Sequence, residues 1–261
     1  MSRLPAVKVL VTRPKPKAVH LAEELAEAGA KPIIVPLLTF HTRIDDENVK
    51  LCQEGERFDW LFFSSTNGVE HFHALLSTYS SLEAWSHCHI AAVGQKTAEA
   101  IARLFGREAD LVPDDYTADA LAARFTQAHD PDSRILLIQG NLSRPALANG
   151  LKRNGFVFEK MVVYDTVEEI SEQELLNDVL KKEQPEVLTF TSPSSIKAFL
   201  AFIDNAELEQ KQLDKLCLVI GPTTEEAAKR HGFRNILLPA QYTADAMIDL
   251  LVHFYEQRTG E

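Results

Sequence analysis

The sequence is poor in cysteine and has no long apolar segment. Its three cysteines, Cys52, Cys88 and Cys217, are widely spaced and form no C-x-x-C pair, which is typical of reduced, unpaired thiols in a reducing compartment. The longest apolar runs, such as 32–38, fall far short of the roughly 18 residues that span a bilayer. The N-terminus has no apolar stretch of signal-peptide length. We therefore expect a cytoplasmic protein with no membrane partner.

Positive charge is also scarce. The 261 residues include 27 Lys and Arg against 38 Asp and Glu, for a net charge of −11. Proteins that bind duplex nucleic acid gain affinity by neutralising phosphates with a basic face. The composition therefore predicts no nucleic-acid partner, and an anionic ligand would have to be held by local geometry.

Common catalytic signatures are missing. The sequence contains no G-x-x-x-x-G-K-[ST], G-x-G-x-x-G, G-x-S-x-G or H-E-x-x-H, so nucleotide hydrolysis, Rossmann hydride transfer, serine-esterase and zincin chemistry lose their main support. Histidines cluster at 71–73 and 87–89, but neighbours in such clusters point in alternating directions. A closed metal site needs four converging ligands. We expect no metal and no cofactor.

The chain repeats itself with a long period. Tyr-Thr-Ala-Asp-Ala at 116–120 recurs, identical, 126 residues later at 242–246. Residues 93–100 resemble 220–227, and residues 61–65 resemble 188–192. A long-period repeat of this kind predicts two similar domains.

Short apolar runs alternate with segments of helical periodicity, a pattern that predicts a parallel sheet covered by helices. Gly29 and Gly155 follow helical segments and are predicted to end them. Five strands in each half favour a flavodoxin-like unit. The predicted strands are 7–11, 33–39, 60–63, 90–93 and 110–112 in the first half, and 134–138, 157–164, 187–190, 216–220 and 236–238 in the second.

Junctions rich in Ser, Thr and Gly follow most of these strands. They lie at the carboxyl ends, where open α/β sheets bind ligands, and helix starts offer unpaired N–H groups to carboxylates or phosphates. Simple N-capping by Ser and Thr remains the alternative at each junction. The junctions are 12–14, 64–68, 94–97, 140–144, 191–194 and 221–224.

In the order and spacing of these junctions, the chain resembles the uroporphyrinogen-III synthase family from Val7 to Phe254. The family usually has Ser-Pro at the first serine junction, where this chain has Ser65-Thr66. The resemblance is carried by 63–65, 93–94 with Thr97, 140–142 with Arg144, 163–166, 190–194 and 220–224.

The resemblance implies two flavodoxin-like, parallel-sheet α/β domains joined by a pair of extended connectors, with a cleft between them. Domain one would comprise 1–37 and 167–261, and domain two 38–166, with connectors at 33–39 and 162–167. The sequence repeat by itself does not choose between exchanged and sequential domains.

The implied activity is that of a cyclising lyase of tetrapyrrole and haem biosynthesis. Its substrate would be hydroxymethylbilane, a linear tetrapyrrole with eight carboxylates, which loses water and closes with its terminal pyrrole ring inverted. No cofactor is implied, because nothing is oxidised. The enzyme is expected to be a monomer and to receive its substrate by transient hand-over from hydroxymethylbilane synthase. The alternative is a cytoplasmic two-domain protein that binds a small molecule without catalysis.

The resemblance also assigns site residues. Tyr164 matches the family tyrosine proposed to assist departure of the hydroxyl group. A phenol is uncharged at neutral pH and could donate a hydrogen bond without adding negative charge. The expected substrate-binding residues are Arg13, Ser64, Ser65, Lys96, Thr97, Asn141, Arg144, Ser192, Ser194, Thr223 and Thr224.

Overall fold

The computed structural model describes residues 4–15 and 17–259. None of the helices in these ranges combines the length and apolar character that crossing a membrane requires. The strands are β1 Lys8–Val11, β2 Lys31–Ile34, β3 Leu38–Thr42, β4 Trp60–Phe63, β5 His89–Ala92, β6 Ile135–Gly140, β7 Phe158–Glu168, β8 Val187–Phe190, β9 Leu216–Val219 and β10 Asn235–Leu237.

Helices connect most of these strands. They are α1 Lys17–Glu27, α2 Asp46–Cys52, α3 Thr66–Tyr79, α4 Gln95–Phe105, α5 Ala118–Ala128, α6 Ala146–Arg153, α7 Gln173–Asp178, α8 Pro193–Phe202, α9 Ala206–Leu213, α10 Pro222–Arg230 and α11 Ala244–Thr259. The chain divides into two compact units. Unit one is Met1–Thr39 with Val167–Glu261, and unit two is Phe40–Thr166. The sequence-based boundary places the first crossing at residue 37, two residues earlier.

Unit one contains a five-stranded sheet in the order β10-β9-β8-β1-β2, and all its neighbouring strands pair in parallel. When the five strands are numbered along the chain, the order is 2-1-3-4-5. This is the flavodoxin-like order, so the fold class predicted from the sequence is confirmed.

Unit two contains a second five-stranded sheet in the order β3-β7-β6-β4-β5. The pairs β7–β6, β6–β4 and β4–β5 are parallel. A single bridge joins Ala91 to Leu111 beyond β5. The series β7-β6-β4-β5 with this bridge reproduces the order of unit one, and β3 adds an extra edge strand.

The sheets explain the sequence repeat. In unit one, β1 and β2 come from the first half of the chain, whereas β8, β9 and β10 come from the second. In unit two, β4 and β5 come from the first half, and β6 and β7 from the second. Each half therefore contributes its opening strand pair to one unit and its remaining strands to the other.

Both sheets are covered on two faces because consecutive strand residues point to opposite sides. In β4, Leu61 and Phe63 belong to one buried cluster, and Trp60 and Phe62 belong to another. In unit one, Leu10 packs into the cluster that includes α8 and α10, and Val9 and Val11 pack with α1 and α11. A strand that is buried on both faces appears in the sequence as a largely continuous apolar run. The predicted bounds of β4 and β8 are therefore the observed ones.

Two predicted strands were wrong as single strands, whereas the others differ from the structure only at their end residues, by up to four at the end of β7. The segment 33–39 is not one strand, because β2 ends at Ile34 and β3 begins at Leu38. Pro36 lies between them and has no N–H to donate to a ladder. The segment 110–112 contributes only its bridge at Leu111. The predicted helix stops at Gly29 and Gly155 are confirmed, with positive φ angles of 102° and 81°.

Candidate active site

In both units, two neighbouring strands lead into helices on opposite faces of the sheet. In unit one these strands are β1 and β8, followed by α1 and α8, which pack in different clusters. In unit two they are β4 and β6, followed by α3 and α6. Such a switch point opens a crevice at the carboxyl ends of the strands, where α/β sheets bind ligands.

The switch point of unit one is held by two buried threonines. The Thr12 Oγ1 donates to the Thr189 carbonyl at 2.7 Å, and the Thr189 Oγ1 donates to the Leu10 carbonyl at 2.8 Å. These reciprocal bonds fix the end of β1 against β8. They therefore fix where Arg13, the next residue, leaves the sheet.

Arg13 is half-buried at this junction. Within the described residues, its Nε atom is buried and has no hydrogen-bond partner. Burial lowers the pKa of the Arg13 guanidinium, and the negative charge of Glu24 opposes that shift. A buried guanidinium N–H that is not already bonded is a group that an anionic ligand can satisfy.

The second serine junction begins α8. The Ser192 Oγ accepts from the Ser195 N–H at 3.1 Å, as the side chain of an N-cap does. The same oxygen lies 3.1 Å from the Ser194 Oγ, and the Ser195 Oγ donates back to the Ser192 carbonyl at 2.7 Å. Ser192 is thus a capping residue whose hydroxyl stays within reach of its neighbours.

Thr97 and Thr224 lie at the same position of equivalent helices. Each follows a glycine N-cap, Gly94 or Gly221, and each N–H bonds that glycine carbonyl at 3.0 Å. The two threonines are only 6% and 2% exposed. The residues just before them, Lys96 and Thr223, are exposed and half-buried respectively.

In unit two, the first serine junction ends β4. The Ser65 Oγ caps α3 by accepting from the Gly68 N–H at 3.1 Å, and it lies 3.5 Å from the Tyr164 Oη. The neighbouring Ser64 Oγ is buried, and no side chain or backbone group of the described chain bonds it. The two serines therefore differ: the Ser65 hydroxyl caps a helix, and the Ser64 hydroxyl has no hydrogen-bond partner among the described residues.

The junction after β6 is tied to β7. The Asn141 N–H donates to the Tyr164 carbonyl at 3.1 Å, and the Thr166 N–H donates to the Asn141 Oδ1 at 2.9 Å. These bonds make Asn141 a residue that fixes the end of β7. Arg144 lies further along the same junction and is exposed.

Tyr164 is held on three sides. Its side chain is 8% exposed, and the ring of Phe40 meets it edge-on at 5.5 Å between centroids. The His71 ring stacks on it at 5.0 Å and 25°, with the His71 Nδ1 2.9 Å from the Thr42 Oγ1. The third side is Gly140, where an added Cβ would lie 2.3 Å from the tyrosine Cζ. The phenol oxygen is therefore set in a fixed direction beside Ser65.

Sequence reasoning missed Phe40 and the stacking of His71 around Tyr164, and it identified Gly140 only as part of a junction. Phe40, His71 and Gly140 come from three different segments, and only the fold brings them together. In the sequence, the histidine cluster 71–73 suggests only a metal site, and its pattern does not indicate that His71 stacks on a tyrosine. Within residues 4–15 and 17–259, no three His, Cys, Asp or Glu side chains are grouped so that they could hold a metal ion.

Comparison of the sequence with known protein families shows which family this chain belongs to. The sequence model of uroporphyrinogen-III synthase HemD matches residues 19–249. The chain belongs to the uroporphyrinogen-III synthase family. A relative from Methanocaldococcus jannaschii is 30% identical over 247 residues, which are 94% of this chain and 98% of the relative. The uroporphyrinogen-III synthase of Chlorobaculum parvum is 26% identical over 237 residues, 90% and 93% of the two chains.

Solved structures of uroporphyrinogen-III synthases share the fold. A mutant enzyme of the extremely thermophilic bacterium Thermus thermophilus matches with a TM-score of 0.65 and 18% identity, over 98% of this chain and all of that one. The enzyme of Helicobacter pylori matches with a TM-score of 0.64 and 19% identity, over 96% and 100%. These likenesses show that the chain shares the fold of those enzymes.

Proposed function

We propose that this member of the uroporphyrinogen-III synthase family converts hydroxymethylbilane to uroporphyrinogen III, with loss of water and inversion of the terminal pyrrole ring. The observation that carries the proposal is the clamped phenol of Tyr164, which lies beside Ser65 at the switch point of unit two. This is the position where the family's fold would bind its ligand.

The reaction requires the enzyme to orient the flexible substrate and to assist a proton transfer. Loss of the hydroxyl group as water leaves an electrophilic azafulvene, and a pyrrole carbon of the same molecule then attacks it. Tyr164 serves as the hydrogen-bond donor to the departing oxygen, since a fixed donor assists a leaving group only when its direction is set. The proton that the departing hydroxide takes from the phenol is balanced by the pyrrole N–H proton that is released as the azafulvene forms. The Ser65 Oγ, 3.5 Å from the Tyr164 Oη, can relay that proton, so the phenol ends the step protonated.

The eight carboxylates of the substrate require local positive potential in a chain of net charge −11. Arg13, Lys96 and Arg144 supply cations at three junctions, and the first turns of the helices add N–H donors. Hydroxyl groups complete the proposed binding set, at Ser64, Ser192, Ser194, Thr223, Thr97 and Thr224. Asn141 supports Tyr164 through its backbone hydrogen bond. Local donors then offset the global repulsion.

Isomer analysis tests the proposal. The purified protein is incubated with enzymatically generated hydroxymethylbilane, and the oxidised macrocycles are separated by chromatography. We expect the inverted type III isomer to dominate, and we expect chelator treatment to leave the rate unchanged. Spontaneous closure gives the uninverted isomer, so a product mixture identical to the protein-free control would contradict the proposal and favour a binding protein without catalysis.

We further propose that the enzyme acts as a monomer in the cytoplasm and receives its substrate from hydroxymethylbilane synthase. The three cysteines are free and buried, which supports a reducing compartment. Sedimentation of the purified protein tests the first part. A lag-free coupled assay at low concentrations of both enzymes tests the hand-over, because free diffusion of the substrate would produce a lag.

A further inference from the structure

One repeated feature is not used by the proposed mechanism. Tyr116 and Tyr242 open the identical pentapeptides of the two halves. Both side chains are exposed, by 56% and 60%. One tyrosine belongs to each unit, so the two occupy equivalent places in similar folds.

In each pentapeptide, the threonine and the aspartate stabilise the start of the following helix, and the tyrosine does not. The Thr117 Oγ1 accepts from the Ala120 N–H at 3.1 Å and caps α5. The Thr243 Oγ1 accepts from the Ala246 N–H at 3.2 Å at the start of α11. Each following aspartate lies in the first turn, where it interacts favourably with the helix dipole. The tyrosine precedes the cap and contributes to none of these bonds.

Tyr116 also adopts an unfavourable backbone conformation. Its φ is +48°, a region that a residue with a bulky side chain rarely occupies. Asn or Gly would fit this position with less strain. An exposed aromatic side chain that is kept despite such strain is typical of a functional contact rather than a folding contact.

Each tyrosine packs beside the first turn of another helix. A Cβ built on Gly94 would lie 3.6 Å from the Tyr116 Cβ, and one built on Gly221 would lie 3.7 Å from the Tyr242 Cγ. These glycines are the N-caps of α4 and α10, which have no side-chain cap bond, unlike α3 and α8. Both aromatic side chains therefore stand at the carboxyl end of a sheet, next to the Lys96 and Thr223 junctions.

We propose that Tyr116 and Tyr242 are stacking residues for the pyrrole rings of the tetrapyrrole. This inference rests on the proposed function and adds a specificity element to the same site. A pyrrole is flat and electron-rich and carries carboxylate side chains. A tyrosine face beside a helix start can contact the ring, while the backbone N–H groups of the first turn face its carboxylates.

Aromatic stacking on a flat ring typically contributes enough to change affinity by about fivefold to a hundredfold when the side chain is removed. Tyr116→Ser and Tyr242→Ser should each weaken binding by about that factor, and the double variant more than either. Tyr→Phe at either site keeps the ring and should retain most of the affinity. The matched control is Val157→Ser, which removes a 78% exposed apolar side chain just before β7, at the amino ends of the strands and so away from the site.

The experiment measures binding of uroporphyrin III, the fluorescent oxidised macrocycle, by quenching titration, together with KM for hydroxymethylbilane and the thermal midpoint. We expect the Ser variants to raise Kd and KM, with kcat less affected and the thermal midpoint retained. Tyr116→Asn separates function from folding: it should keep or raise the thermal midpoint, because it relieves the strained φ, while it weakens binding.

Two results with the variants overturn the inference, and one result with the parent protein does so as well. Ser variants with the parent Kd and KM would show that the tyrosines do not contact the ligand. Weaker binding that always accompanies a lower thermal midpoint, and that Phe does not restore, would assign them a structural role. If the parent makes no type III isomer but binds uroporphyrin in a tyrosine-dependent way, the proposed function fails and the stacking site stands. If the parent binds no uroporphyrin and makes no type III isomer, both fail.

Discussion

The ring of Tyr164 lies in the space that a side chain at Gly140 would fill. A Cβ at position 140 would be 2.3 Å from the Tyr164 Cζ and 2.6 Å from its Oη, far inside any real contact. The glycine that ends β6 is therefore part of what positions the phenol on β7. The sequence predicts a ligand-binding junction here, and the structure shows that its glycine is also needed to leave room for the ring of Tyr164.

Gly140→Ala tests this requirement. The added methyl group must displace the Tyr164 ring, which Phe40 and His71 hold from other sides. We expect an overpacking cost of about 1–3 kcal/mol in the free energy of unfolding and at least a tenfold loss of kcat. Urea unfolding and isomer-resolved kinetics measure the two effects.

A double-mutant cycle provides the control for Gly140→Ala. Tyr164→Ala removes the ring that the methyl group would strike, so the double variant should be more stable than the sum of the two single effects predicts. Additive losses would mean that position 140 acts independently of the tyrosine.

Tyr164→Phe removes only the hydroxyl and leaves the three-sided packing of the ring. We expect turnover to slow by about ten- to a thousandfold, the range of general-acid assistance. Water or a substrate carboxylic acid can replace part of the proton transfer. Ligand affinity and the thermal midpoint should stay close to the parent, and the product should stay type III. A variant that turned over at the parent rate would move the leaving-group role away from Tyr164.

The pair of Asp59 and Arg134 should stabilise unit two without affecting catalysis. The two side chains bond at 3.0 Å through the Arg134 Nε, next to the first residues of β4 and β6 and so at the edge away from the site. The bond from Arg134 lowers the pKa of Asp59 to about 2. Because the folded value is depressed, this stabilisation is complete above about pH 4 and is lost as the pH falls towards 2.

Asp59→Asn should therefore lower the thermal midpoint at pH 7 by about 1–3 °C, the size expected of a largely exposed pair, with kcat unchanged. The difference from the parent should shrink as the pH is lowered from 4 to 2. A constant difference over that range would show that the carboxylate charge is not what stabilises the parent.

The three buried thiols should be unreactive in the folded protein. Burial raises the pKa of Cys52 and Cys88 to about 11 and that of Cys217 to about 12. At pH 8, alkylation by iodoacetamide should be at least about a hundredfold slower in buffer than in urea, because reaction requires both exposure and ionisation. Rapid labelling of one cysteine in the native state would contradict the burial found here.

The same shifts predict an alkaline effect on stability. An unfolded thiol ionises near pH 8.5, whereas the folded thiols stay protonated to about 11 or 12. Their contribution to stability is therefore present below about pH 8.5 and is lost as the pH rises through 11 to 12. Replacing all three with Ala should flatten the fall in thermal midpoint over this range and leave turnover largely intact.

Sequence patterns predict strands well where the burial is complete. Every residue of β4 and β8 is buried, so each run is apolar or β-branched and ends sharply at its serine junction. The edge segments are harder. Residues 110–112 bear only one bridge. Around Pro36 the ladder is interrupted, although Val35 and Leu37 still donate N–H bonds to the Val11 and Thr12 carbonyls. Local composition is typical of a strand in both segments, but the regular pairing is not continuous.

The site was predictable only in part, for a similar reason. The junction residues follow buried strands and can be found by position along the chain. The contacts of Tyr164 join segments up to 124 residues apart, from Phe40 to Tyr164, and no local pattern encodes them. The threonines of the identical pentapeptides, each followed two residues later by an aspartate, are predicted by the sequence to cap helices, and the structure confirms this. Only the structure shows that the tyrosines before them are exposed.

The exchange of opening strands between the two halves has a consequence for synthesis on the ribosome. The β1 strand pairs with β2 and with β8, and Val9 to Val11 meet Val187 to Thr189. The first of the remaining strands of its sheet, β8, is translated about 180 residues later, which takes roughly 9–36 s at 5–20 residues per second. The sheet of unit two, in contrast, has all its strands as soon as β7 has emerged. During synthesis, the segment β1–α1–β2 therefore has no β8, β9 or β10 to pack with, and its apolar faces stay uncovered. In that time the following segment, which forms unit two, can complete its fold.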